Sequence, residues 1–257
     1  MQDLYDRSFY GEQRSGSLNS ALIVAPMVCA IFAPRSVLDL GCGVGTWLKA
    51  FSQAGVADVA GIDGDYVSRD DLEIAQEHFT PRDLTTEITF DRRFDLAMSL
   101  EVGEHLPTDK APVLVRSLSN AADVVLFSAA IPYQGGIGHI NCQWQSWWAD
   151  LFAREGYEAF DLFRPALWND GRVEAWYRQN MLVYARHAGA ETARAHLRGG
   201  GLPLDVVHPA ELERGMLGVP RVSHVIEDLK LALGRRIRSS FGAGGPVQRS
   251  RSRYGLS

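Results

Sequence analysis

Short runs of consecutive apolar residues alternate along this chain with longer stretches whose apolar positions recur every three or four residues. "SVLDLG" (36–41), "DVAGID" (58–63), "FDLAMSLE" (94–101) and "DVVLFSAAIP" (123–132) are runs of the first kind. Each reads as a strand, and such continuous apolar character is expected of strands covered on both faces. Shorter strands are predicted near 79–85, over "YEAFDLF" (157–163) and over "AWYRQNMLVYAR" (175–186). Helical spacing marks "TWLKAFSQAG" (46–55, ending at Gly55), "VSRDDLEIAQEHF" (67–79), "TDKAPVLVRSLSNA" (108–121) and "CQWQSWWADLFAREG" (142–156). Strands alternating with helices predict an α/β fold, a doubly wound, mostly parallel, seven-stranded sheet with ligands at the carboxyl ends of its strands.

Outside that core, the most apolar stretch, "ALIVAPMVCAIFAP" (21–34), is too short to cross a bilayer and is expected to be a buried helix interrupted at Pro26. The Gly- and Ala-rich stretch 188–205 reads as a linker, followed by an amphipathic helix over 223–237 and a basic tail. The expected division is therefore an N-terminal helical or lid segment (1–34), a core domain (35–187) and a C-terminal linker, helix and tail (188–257). A chain of 257 residues with 46% hydrophobic content can bury the core such a domain needs. Cys29, Cys42 and Cys142 are too few and too scattered for a disulfide framework or a thiolate zinc site, so a reducing, cytoplasmic setting is the default.

The net charge of −5 is unevenly spread. Residues 1–190 carry 15 Lys/Arg against 25 Asp/Glu, or −10, and residues 191–257 carry 11 against 6, or +5. An acidic main domain is a poor surface for phosphate, which makes nucleic acid an unlikely partner. The basic tail is either a solvated terminus or a contact for an anionic surface.

The most informative local pattern is "VLDLGCGVGTWL" (37–48), where Gly41, Gly43 and Gly45 join the first strand to the first helix. Such glycines let backbone turn sharply and approach a ligand. Their Gly-x-Gly-x-Gly spacing differs from the Gly-x-Gly-x-x-Gly of dinucleotide binding. Asp39, two residues before the first glycine, suits the cationic amino end of an amino-acid-like ligand better than a pyrophosphate. The stretch resembles the first motif of class I S-adenosylmethionine-dependent methyltransferases, and the resemblance covers roughly residues 35–186. It implies that Asp63 binds both ribose hydroxyls and that Asp83, in "RDLT" (82–85), binds the adenine amino group. Leu84 and Leu100 complete the cofactor set that it implies.

"SLEVGEHLP" (99–107) sets Glu101, Glu104 and His105 at the end of the fourth predicted strand, spaced so that one helical turn brings them to one side. Glu-x-x-Glu-His here resembles two metal-dependent subgroups, ubiquinone-pathway O-methyltransferases and enzymes that methylate the terminal 2′-hydroxyl of small RNAs. In the second subgroup a further histidine completes the site, and His139 in "GHINCQWQSWWADLF" (138–152) stands in a similar place, with Asn141 lacking a counterpart. The resemblance thus implies a divalent metal, magnesium or manganese, on Glu101, Glu104, His105 and His139. The mixed oxygen and nitrogen donors suit Mn, Fe, Co or Zn better than a magnesium cage. The alternative is an ordinary helix start without metal, with His139 or His105 as general base.

On the acceptor side, Tyr5, Phe9, Tyr10 and Gln13 are either a lid or simple packing. "YQGGIGHI" (133–140) would be a flexible substrate loop. Trp144, Trp147 and Trp148 are candidates for stacking on a sugar, with core packing favoured for 144 and 148. The expected function is O-methylation of a hydroxylated small molecule such as a sugar or glycan precursor. The alternatives are 2′-O-methylation of RNA ends, N-methylation of an amino sugar, and a non-catalytic cofactor-binding relative.

Overall fold

The computed structural model describes residues 7–197 and 203–217, and side chains over 16–197 and 203–213. Seven strands, β1 (Ser36–Leu40), β2 (Asp58–Asp63), β3 (Phe79–Pro81), β4 (Leu96–Leu100), β5 (Val124–Ser128), β6 (Glu158–Phe160) and β7 (Leu182–Ala185), form one sheet. Its order is β3–β2–β1–β4–β5–β7–β6, with β7 antiparallel to both neighbours and the other pairs parallel. The sheet is the expected doubly wound one. Every residue of β1, β4 and β5 is buried, which explains their unbroken apolar runs.

Period-two alternation divides the core between the faces of the sheet. Met98, Val124, Leu126 and Val183 join one cluster, with α1 (Arg7–Phe32), α2 (Thr46–Gln53) and α7 (His187–His196). Leu38, Leu40, Val125, Phe127 and Tyr184 join the other, with α3 (Ala111–Ala121) and α4 (Gln145–Arg154). Because β1 leads outward through β2 to β3 while β4 leads to the opposite edge, a crevice opens where β1 and β4 lie side by side. In sheets of this topology ligands bind at the carboxyl ends there.

Several local expectations are corrected. Residues 67–79 are not a helix. They hold two short 3₁₀ turns, Arg69–Asp71 and Gln76–His78, because Ile74 packs beneath the glycine loop and the Glu73 amide donates to Val44 O at 2.7 Å. Residues 175–186 divide into a short helix, α6 (Ala175–Asn180), and β7. Pro26 does not interrupt α1. It lies on the exposed side of the helix beside exposed Leu22, where water can replace the lost backbone bond. The expected linker is helical over α7, where alanine and arginine favour a helix, and its glycines 199–201 lie outside the described residues. The amphipathic helix at 223–237, the basic tail and Tyr5 also lie outside them. Phe9, Tyr10 and Gln13 fall on α1, with side chains outside the description.

Beyond Gly199–Gly201 the chain resumes as a strap. Asp205 accepts from the Ser146 amide and hydroxyl at the start of α4, both at 2.8 Å. Buried Arg164, the first residue of α5 (Arg164–Leu167) and paired with Asp161 at 2.9 Å, donates to the carbonyls of Leu204 and Pro203. α8 (Pro209–Leu217) follows.

The Phe152 ring stacks on Tyr184 at 3.9 Å and meets Phe127 edge-on at 5.3 Å. Phe152→Ala should cost about 3–5 kcal/mol of unfolding free energy in urea titration. A loss under about 1 kcal/mol would contradict this account of the core.

Candidate active site

The turn after β1 is held to the end of β2 by backbone bonds and by the Asp63 side chain. Gly41 N and Cys42 N donate to Ile62 O at 2.7 and 3.2 Å, which fastens the loop to the end of β2. Gly41 has φ of 90°, and a Cβ there would fall 2.3 Å from Val102. Gly43 has φ of 53° and open space where a side chain would stand. Both need left-handed backbone, but only Gly43 leaves its face free for a ligand.

Around this cradle stand the predicted acidic residues. Asp39 is buried at the end of β1, and its Oδ1 has no hydrogen-bond partner. Burial, reinforced by the charge of Asp63, pushes its carboxyl well above the ordinary range. An orphaned buried oxygen of this kind fits a ligand carrying an ammonium group. Asp63 accepts from Gly43 N through Oδ2, and from Gly64 N and the Tyr66 hydroxyl through Oδ1. Asp83 is exposed, and its Oδ1 accepts from the Thr85 hydroxyl at 2.7 Å and amide at 2.8 Å, bonds that lower its pKa. Leu84 and Leu100 are buried, each in the cluster on a different face of the sheet.

The second group gathers at the end of β4. Glu101 departs from the strand with φ of 57°, an uncommon conformation for a residue with a side chain. The chain then makes one 3₁₀ turn, Gly103–His105, where a helix start was expected. Glu104 O accepts from Ile140 N at 2.8 Å and Asn141 N at 3.0 Å, and Asn141 Nδ2 donates to Gly103 O at 3.1 Å. These bonds dock the loop after β5 and carry His139 to the turn. His139 Nε2 stands 3.9 Å from Glu104 Oε1, and the His139 ring meets that of His105 at 4.8 Å.

One potential ligand atom each from Glu104, His105 and His139 lies within 4.8 Å of the others. Glu104 is fully buried, and neither carboxylate oxygen makes a well-formed hydrogen bond. Its pKa is pushed well above the ordinary range by burial and then by the charge of Glu101. His139 is lowered to about 4 by burial and by His105, and its Nδ1 has no partner. Two neutral nitrogens facing an unpaired carboxylate form a donor set that fits a divalent cation.

Glu101 is held differently. Its Oε1 accepts from Asn180 Nδ2 and its Oε2 from Gln134 Nε2, both at 3.2 Å. Gln134 Oε1 in turn accepts from Asn180 and Gln179, and Gln179 Oε1 accepts from the His208 amide of the strap at 2.8 Å. Sequence reasoning missed this amide network, since Gln134, Gln179 and Asn180 stand in no recognised spacing. Trp148 is buried against Phe127 and under Gly103, as favoured, whereas Trp144 is 38% exposed, contrary to core packing. Trp144 is exposed because it precedes α4, on the solvent side of the docked loop.

These features, a glycine cradle at the sheet's switch point with acidic groups on neighbouring strand ends, agree with the comparisons. A family model described as a methyltransferase domain matches residues 10–164. The chain belongs to this methyltransferase-domain family. No curated protein matches it. Among solved structures, the methyltransferase resembles the sugar N-methyltransferase KedS8 from Streptoalloteichus sp. at 16% identity and TM-score 0.54, covering 70% of this chain and 91% of that one. CalS10, an amino pentose methyltransferase of Micromonospora echinaspora solved with S-adenosylmethionine, matches at 15% and 0.53, covering 71% and 98%. Magnesium protoporphyrin IX methyltransferase from Synechocystis, solved with S-adenosylhomocysteine, matches at 18% and 0.52, covering 69% and 88%. No helix among the described residues of the methyltransferase is long and apolar enough to cross a membrane.

The depressed His139 value has a signed consequence. An unfolded chain protonates this ring below about pH 6.5, but the folded one does not until about 4, so its contribution to stability is present above 6.5 and is lost as pH falls to 4. Two-dimensional NMR of the imidazoles should find His139 neutral at pH 5.5. Titration near 6.5 would contradict the packing of this ring.

Proposed function

We propose that this methyltransferase methylates a hydroxyl group of a sugar-like small molecule or glycan precursor, with a divalent cation held by Glu104, His105 and His139. The observation that carries this reading is the fully buried Glu104 carboxylate, which faces His139 and makes no well-formed hydrogen bond, with only the backbone of Glu104 and Ala130 and the Glu101 carboxyl as polar neighbours. A buried carboxylate so poorly paired is costly, and either a proton or a cation must relieve it. Neighbouring Glu101 adds negative charge, and the two imidazoles bring lone pairs, which together favour a cation.

The residues divide the work as follows. Asp39 faces the amino end of S-adenosylmethionine, the backbone of 41–45 cradles its methionine part, and Asp63 holds the ribose. Asp83 takes the adenine amino group, with Leu84 and Leu100 as apolar neighbours. Glu101, fixed by Gln134 and Asn180, follows the last residue of β4 and precedes the turn that carries Glu104 and His105. Glu104, His105 and His139 would hold a divalent cation, which would supply Lewis-acid chemistry that lowers the pKa of an acceptor hydroxyl. His139, with a pKa of about 4, is a weak base for a hydroxyl but a ready ligand. S-adenosylmethionine supplies an already activated methyl group, so the chain's main task is to hold the acceptor oxygen in line. Tyr133 and Trp144, both exposed and in or next to the segment that carries His139, are the proposed aromatic surface for a sugar ring.

A second reading, N-methylation of an amino sugar, draws on the sugar acceptors named for KedS8 and CalS10. An amine nucleophile needs no metal, so the readings separate cleanly. With a panel of diol-bearing and amino sugars, O-transfer should require Mn²⁺ and stop with a chelator, whereas chelator-insensitive transfer to an amine establishes the second reading. In calorimetry, Glu104→Gln and His139→Ala should weaken Mn²⁺ binding at least tenfold while S-adenosylhomocysteine affinity changes less than about twofold. Unaltered Mn²⁺ binding in both variants contradicts the proposed ligand set. Asp63→Ala should abolish measurable S-adenosylhomocysteine uptake, and retained affinity contradicts the proposed ribose site.

A further inference from the structure

Asp63 closes β2 with three donors already on its carboxylate. Gly43 N reaches Oδ2 at 2.7 Å, Gly64 N reaches Oδ1 at 2.7 Å, and the Tyr66 hydroxyl donates to the same Oδ1. The two amides belong to the fixed backbone of neighbouring turns. The phenol belongs to a rotatable side chain that is 72% exposed. Its ring lies against Gly64, so near that a Cβ there would fall 2.1 Å from Tyr66 Cε1. A bare glycine therefore makes room for a surface tyrosine to reach down onto a buried carboxylate.

A carboxylate offers about four acceptor positions, and a vicinal diol needs two of them. With three taken, one donor must leave before a ribose can bind through both hydroxyls. We propose that Tyr66 is a competitor built into the cofactor site: its phenol O–H occupies the Asp63 oxygen that a ribose hydroxyl takes, and the ring swings aside as the nucleoside enters. The inference rests on the reading of Asp63 as the ribose ligand. In the empty state the phenol keeps a buried carboxylate satisfied, which is costly to leave undone. Cofactor binding then exchanges one hydroxyl donor for another, so the ribose gains less from Asp63 than it would from a vacant carboxylate. Affinity for the spent cofactor is held down by the same exchange, which favours product release.

The test is calorimetric titration of the full chain with S-adenosylhomocysteine. Tyr66→Phe keeps the ring and deletes the competing donor, and it should tighten binding roughly three- to tenfold, the worth of one partly exposed hydrogen bond. Gly64→Ala pushes the ring away while keeping its hydroxyl and should tighten binding in the same direction. The double variant should gain nothing over Tyr66→Phe, because both changes remove the same contact. Unchanged or weaker binding by Tyr66→Phe overturns the proposal and makes the phenol a bystander or a cofactor ligand. If wild type takes up no S-adenosylhomocysteine, the cofactor reading falls first, an outcome visible before any variant is compared.

Discussion

The carbonyl of Glu104 accepts two successive amides, those of Ile140 and Asn141, while the Asn141 side chain takes the carbonyl of Gly103 next door. Three hydrogen bonds thus fix the loop after β5 against the turn after β4. Without them His139 would have no reason to face Glu104, since 34 residues of chain separate the two. The docking also demands glycine close by. A Cβ at Gly136 would fall 2.2 Å from the His139 ring, and at φ of 144° the residue already has backbone that side chains avoid. Backbone bonding therefore assembles the candidate centre, leaving the side chains of Glu104 and His139 without well-formed bonds of their own and available to a ligand.

Charge gives the site its second property. Asp39, Asp63, Glu101 and Glu104 stand at the ends of three parallel strands, and burial raises the pKa of Asp39, Glu101 and Glu104. Concentrated negative charge in a low-dielectric crevice is destabilising by itself. It becomes favourable toward cationic partners, such as the ammonium proposed at Asp39 and the divalent ion proposed at Glu104, while Asp63 is proposed to take neutral ribose hydroxyls. The amide network around Glu101 serves the same end, because Gln134 and Asn180 give that carboxylate donors without adding a compensating charge. Through Gln179 and the His208 amide, the network ties the site to the strap beyond residue 203, well past the segment that the family model matches.

Much of this was legible in the chain. The doubly buried strands β1, β4 and β5 announce themselves as unbroken apolar runs, and the three glycines after β1 mark a turn in which Gly43 has open space where a side chain would stand. Glu104 and His105 were readable by residue type and spacing, and His139 through the family resemblance, but their convergence depended on Asn141, which no motif identified. Residues 67–79 misled because Leu72, Ala75 and Phe79 fall at helical spacing, whereas tertiary contacts of Ile74 and Glu73 with the glycine loop leave only two short 3₁₀ turns. Tyr66 and the Gln134–Gln179–Asn180 network were invisible for a common reason. Each acts through a partner distant in sequence or through a rotamer, and neither leaves a periodic trace.

The central claim is that one crevice holds a methyl donor on Asp63 and a divalent ion on Glu104, His105 and His139. The most direct measurement is a crystal structure of the protein with S-adenosylhomocysteine and Mn²⁺, with anomalous data collected near the manganese edge. The account predicts an anomalous peak within bonding distance of Glu104, His105 and His139, and ribose hydroxyls on the Asp63 carboxylate. A peak elsewhere, or a nucleoside bound away from β1 and β2, would contradict it.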